Sequence, residues 1–211
     1  MRAKLAVLLS IALALSYCQF ASAKATTWSN ASAWAYEELM MADSCGLIPF
    51  SLYSEDFIRP VSRAEFAAVT VRLHEEYTGS FFLPDSQSVF SDIGEDDVDI
   101  LIAYNLGIVQ GVGGSRFDPD GGLTREQMAT MLWRTLKLLV PDVENSIWSV
   151  PTYSDEGMIS NWALESVLNM GGLGFVRGMG NGAFEPVGAA TCEQAIIISY
   201  RIFAKYKELP N

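Results

Sequence analysis

Two arginines stand where a cation is unfavourable, in the first turn of a helix. Arg125 follows Thr124 in Thr124-Arg125-Glu126-Gln127, and Arg63 follows Ser62 in Ser62-Arg63-Ala64-Glu65. The Thr or Ser hydroxyl is a helix N-cap, and the Gln127 or Glu65 side chain three residues on can reach back to the cap N–H, completing a capping box. A cation there opposes the helix macrodipole and costs roughly 0.3–1 kcal/mol when exposed. Anion binding is the chemistry that offsets this, because a carboxylate meets the guanidinium and the positive helix end together. A third copy, Thr191-Cys192-Glu193-Gln194, keeps the cap and box but has a thiol in place of the guanidinium.

Other residues have ligand-holding chemistry. Trp34 and Trp162 lie at helix starts, as sugar-stacking platforms or as packed aromatics. Gly111 and Gly178 lie in glycine-rich turns, which can offer backbone N–H groups to a ligand or simply reverse the chain. The candidate ligand-binding set is therefore Arg63, Arg125, Trp34, Trp162, Gly111 and Gly178. No cofactor and no metal site is expected. Asp118-Pro119-Asp120-Gly121 lacks EF-hand spacing and a closing glutamate, and the single histidine, His74, reads as part of a solvated helix face. The chain shows no nucleophile elbow, zinc motif or phosphate loop, and Asp96, Asp97 and Asp99 read as a dipole-matched helix start, so no catalysis is expected.

The elements that must position these residues recur. Arg63 to Arg125 is 62 residues and Arg125 to Cys192 is 67. Gly111 to Phe117 and Gly178 to Phe184 are both six, and Trp34 to Gly46 and Trp162 to Gly174 are both twelve. Three units follow, at about 27–77, 90–139 and 153–205. Each is a helix, a glycine turn, a short extended piece and a capped helix. One such unit cannot bury its apolar face alone, so the three must pack together. The second helices are the more apolar, and Ile196-Ile197-Ile198 marks a central one. The expected fold is all-α, with the second helices meeting in the middle.

The first 23 of 211 residues read as a secretory signal peptide, with Arg2 and Lys4, an apolar run from Leu5 to Leu15, and Ala21-Ser22-Ala23 for cleavage. The processed chain of about 188 residues suits a single domain, 24–211. The net charge of -11, which becomes -13 without Arg2 and Lys4, disfavours nucleic acid and anionic lipid as partners, and no later stretch suits membrane insertion. Attraction for an anionic polymer must then be local, at individual arginines. Cys45 and Cys192 remain after processing; outside the cytoplasm they can pair or stay as thiols.

Taken together, these residues resemble the S-layer homology domain in three tandem copies. The second unit has Phe90-Ser-Asp92, Gly107-Ile108-Val-Gln-Gly111, Phe117-Asp-Pro119 and Thr124-Arg125-Glu126-Gln127, without the tryptophan. The third has Tyr153-Ser-Asp155, Trp162-Ala163, Gly174 to Gly178 and Phe184-Glu-Pro186; the first keeps Trp34-Ala35 and Ser62-Arg63-Ala64-Glu65. The resemblance implies a pseudo-three-fold spindle that holds an exported protein to the bacterial cell wall. It implies a wall polysaccharide as partner, with the carboxylate of a pyruvate ketal held by Arg63 and Arg125 in grooves between repeats. Surface-layer proteins are further candidate partners. Cys192 implies a third groove without that contact, for which Arg177 is a candidate substitute. A Cys45–Cys192 bridge would fasten the first repeat to the last. The alternative is a secreted structural or protein-interaction module whose arginines are occupied internally.

Overall fold

The computed structural model describes residues 30–53, 56–84 and 89–207. The expected leader, 1–23, and the start of the first unit lie outside the described residues. All three capping boxes form. Ser62, Thr124 and Thr191 each accept from the backbone N–H three residues on, and each receives the return bond from Glu65, Gln127 or Gln194.

Three pairs of helices follow in chain order. The first unit has α1 (Tyr36–Ser44) and α2 (Arg63–Thr78). The second has α3 (Val98–Asn105) and α4 (Arg125–Leu139), and the third α5 (Leu164–Gly172) and α6 (Cys192–Tyr206). No strand occurs among the described residues, and no helix among them is long and apolar enough to cross a membrane. The fold is all-helical. After α4, Val143–Ser146 forms a 3-10 turn, and Val143 is fully buried.

The first helices are short and carry no side-chain cap of their own. Each packs on the second helix of the preceding unit: α3 on α2, α5 on α4, and α1 on α6. The three second helices also touch one another. The order is thus cyclic, and three backbone bonds close it. Val61 N–H donates to Ala190 O at 2.9 Å, Ala190 N–H to Leu123 O at 3.0 Å, and Leu123 N–H to Val61 O at 3.0 Å. These three residues immediately precede the caps, so the closure fixes where every second helix starts. Around it lies one apolar core in which Phe66, Met128 and Ile196 are fully buried.

Side chains reinforce the same cyclic order. Glu126 accepts from the backbone N–H and hydroxyl of Ser160, at 2.9 and 2.8 Å, and so holds the turn that opens α5. Glu193 does the same for Ser32 ahead of α1. At the remaining junction the corresponding residues are Ala64 and Ile93, both apolar and both packed on the core. The polar pair is kept or lost as a pair, as expected when one partner alone would be left buried and unsatisfied.

Candidate functional site

Arg63 and Arg125 do not stand free at their helix starts. Each is only 6 % exposed and reaches into the loop of the next unit. Arg63 donates from Nε to Phe117 O at 2.8 Å and from Nη2 to Gln110 O at 3.0 Å. Arg125 donates from Nε to Phe184 O and from Nη2 to Arg177 O, both at 2.8 Å. Each guanidinium also lies over a buried ring, its Cζ 4.6 Å from the Phe117 centroid or 4.9 Å from that of Phe184. Each guanidinium is thus held by the neighbouring unit. Carbonyl dipoles and an aromatic face of the neighbouring unit balance the charge, and the arginines join units.

The Phe-x-Asp motif prepares those carbonyls. Asp92 accepts from the N–H groups of Phe117 and Asp118, both at 2.8 Å, and Asp155 from those of Phe184 and Glu185, at 2.7 and 2.8 Å. Asp118 and Glu185 sit at φ of 62° and 59°, a strained conformation for them, and the aspartate bonds stabilise it. These bonds, from Phe117 or Phe184 first, hold both aspartate carboxyls below their ordinary range. Burial pushes the Arg63 and Arg125 pKa values down, opposed by Asp118 and Asp92 around Arg63 and by Glu185, Tyr153 and Asp155 around Arg125. An arginine remains charged at neutral pH regardless.

Beside each arginine the units leave a hollow, and the two hollows are built alike. The larger, about 390 Å³, lies at the first junction. It is lined by Arg63 from unit one, Gly111 and Val112 from the unit-two loop, Gln127 and Arg134 from α4, and Trp162 from unit three. The second, about 180 Å³, is lined by Arg125, Arg177 and Gly178, Gln194 and Arg201 from α6, and Trp34 from unit one. Each therefore takes residues from three units. Trp34 and Trp162 are 56 % and 55 % exposed, so they are not packed aromatics. Gly111 and Gly178 are required by close approach: a Cβ would meet Arg116 O at 2.6 Å or Ala183 O at 2.7 Å. All six candidate residues from the sequence thus line one hollow or the other.

Other expectations are corrected here. Arg177 lies at the second junction, so it does not substitute for Cys192. At the third junction Cys192 N–H and Glu193 N–H still donate to Arg59 O and Phe57 O, so the ring closes without a guanidinium. Cys45 and Cys192 are not bridged. His74 is buried, not solvated: it is 6 % exposed and packs edge-on to Phe82 at 4.9 Å, and its Nδ1 has no partner among the described residues. Burial lowers its pKa.

The sequence reading passed over a second set of arginines. Arg72, Arg134 and Arg201 each lie nine residues after the first residue of α2, α4 or α6. The signal was present as a recurrence, but a cation mid-helix reads by default as a solvated face.

Among the described residues the chain is a closed ring of three helix pairs with hollows at two of its junctions. Residues 90–129 match the S-layer homology domain, and the chain belongs to the proteins that carry it. It is 34% identical over 151 residues to an amylopullulanase of Thermoanaerobacterium thermosulfurigenes, across 70% of this chain and 8% of that protein. To exoglucanase XynX of Acetivibrio thermocellus it is 32% identical over 158 residues, across 72% of this chain and 14% of that one. Cell surface glycoprotein 1 of Acetivibrio thermocellus is 27% identical over 152 residues, 64% of this chain and 6% of that protein. The chain thus spans a small part of these relatives' length.

Proposed function

We propose that this chain is a non-catalytic anchor that holds an exported protein to the bacterial cell wall. It binds a wall polysaccharide through an acidic sugar, a pyruvate ketal in the leading form, seated in the hollows between repeats. The observation that carries the reading is the repeated construction of the two hollows. Each sets a clamped arginine, a close-packed glycine and a half-exposed tryptophan, drawn from three units, around one opening. Sugars favour such sites, where an aromatic face meets fixed polar donors. The relatives support it: two bear the names of glycan-degrading enzymes and one that of a cell-surface glycoprotein, and the similarity covers only a small share of each. A shared attachment module fits that distribution better than a shared activity.

One observation favours a second reading. Two nitrogens of each groove arginine are committed to backbone carbonyls, as in a purely structural or protein-interaction module. Co-sedimentation with purified wall sacculi separates the two. Retention by intact sacculi that is lost when their secondary polysaccharide is stripped supports the anchor. Equal behaviour on both preparations supports the structural module.

A further inference from the structure

The three mid-helix arginines occupy equivalent places, and their acid partners differ. In unit three, Arg201 makes a two-fold ion pair with Glu38 of α1, Nε to Oε2 at 2.6 Å and Nη2 to Oε1 at 2.8 Å. Glu38 lies eight residues before Gly46, a positive-φ glycine that follows α1. The residue eight before the matching Gly107 is Asp99, whose carboxyl burial and Glu75 push above its ordinary range while Arg72 of unit one opposes them. Arg72 also pairs with Glu76 at 2.9 Å. The residue eight before the third glycine, Gly174, is Ser166. Because α5 packs on α4 as α1 packs on α6, Ser166 is the register equivalent of Glu38 on the helix that faces Arg134's own.

Arg201 thus has Glu38 and Arg72 has Glu76 of its own helix, whereas Arg134 has neither kind of carboxylate. It forms no ion pair among the described residues, and its only hydrogen bond there runs from Nη1 to Ile108 O at 3.2 Å. It lines the larger hollow with Arg63 and Trp162, and no acidic residue lines that hollow. Burial lowers its pKa with no acid offsetting the effect. A half-buried guanidinium without a counter-ion, in a hollow too polar to stay dry, is an incomplete pair.

We infer that Arg134 is the principal anion-binding residue of the chain, and that the carboxylate of an acidic sugar completes at the first junction the pair that Glu38 completes internally with Arg201. Resting on the proposed glycan binding, this sharpens it in two ways. The ligand's charge is read by the mid-helix arginine, while Arg63 mainly holds the loop. The two hollows also differ: the first takes the acidic sugar, and in the second the chain's own glutamate already occupies the equivalent arginine.

Titration calorimetry on the full chain tests this, with a panel of pyruvate-ketal hexosides and N-acetylhexosaminides, each beside its uncharged methyl ester. Wild type should bind an acid form at one site per chain, at least tenfold more tightly than the ester. Arg134→Gln should abolish that preference, with Arg134→Lys retaining part of it. Ser166→Glu should do the same by supplying the internal carboxylate, and Glu38→Ser should raise the stoichiometry towards two. Thermal melts of each variant report folding, and Arg134→Gln should melt close to wild type. Acid forms that bind wild type, Arg134→Gln and Ser166→Glu alike would overturn the assignment and leave the glycan reading standing. Failure of wild type to bind any acid form would overturn both.

Discussion

Replacing Arg125 with alanine should destabilise the whole ring, although the residue sits at a candidate binding site. The side chain is 6 % exposed and satisfies two carbonyls, Phe184 O and Arg177 O, that belong to the next unit. Leaving the buried Phe184 O unpaired costs about 1–3 kcal/mol, and losing the part-buried bond to Arg177 O adds about 0.5–1.5 kcal/mol. Loss of the Phe184 stack adds roughly 0.5–2 kcal/mol. The sum is about 3–5 kcal/mol once relaxation and water entry are allowed for. For a chain of this size each kcal/mol lowers Tm by roughly 2–4 °C, so a fall of about 6–20 °C is expected in a circular-dichroism melt. Arg125→Lys should fall between, because an ammonium keeps the charge but not the fork that bridges two carbonyls. Arg201→Ala is the control: its pair with Glu38 is 38% and 31% exposed, and such pairs contribute at most about 1 kcal/mol. A loss below about 1 kcal/mol in Arg125→Ala would refute the argument that this arginine joins two units. If the loss is as large as expected, weakened wall retention in an Arg125 variant reports folding as much as recognition. Arg134 is the cleaner probe of binding.

Further predictions follow from the motif aspartates and the cysteines. The folded-state carboxyls of Asp92 and Asp155 titrate below their unfolded value, near 3.9, because backbone N–H groups hold the charged form. Their contribution is therefore complete above that value and is lost as pH falls through the lower folded-state value. Urea midpoints should decline from about pH 4 downward, and an Asp92→Asn, Asp155→Asn double variant should show a shallower acid decline; an equally steep one contradicts the assignment. Non-reducing mass analysis after alkylation in denaturant should find both Cys45 and Cys192 as thiols. Under native conditions the half-buried Cys45 should react first and the fully buried Cys192 only on unfolding. A mass lower by two hydrogen atoms, with no alkylation, contradicts this.

Local signals in the sequence carried the scaffold well. Thr124 with Gln127, and their two equivalents, place the starts of α2, α4 and α6, because a capping box is decided within four residues. Gly46, Gly107 and Gly174 mark the ends of the first helices for a similar reason: a positive φ is a local demand. The apolar triplet at Ile196 announces a central helix, since little else tolerates burial on every side. What the sequence did not disclose is what spans the junctions. Nothing near Arg125 says that its Nε will meet Phe184 O, 59 residues away. Trp34 and Trp162 resist reading for the same reason, since exposure of an indole depends on what the next unit places over it. His74 looked solvated because its helix neighbours are charged, and Phe82 from the following linker covers it. The Arg72, Arg134 and Arg201 series could have been found by carrying the repeat register through each helix. One partner lies on another helix: Arg201 meets Glu38 of α1, 163 residues away.

The most direct measurement is titration of the unmodified chain with a pyruvate-ketal sugar and with its methyl ester. Saturable binding of the acid form, with the ester at least tenfold weaker, is the outcome expected of a hollow in which a guanidinium awaits a carboxylate. Equal affinity for both forms, or no heat from either, would contradict it.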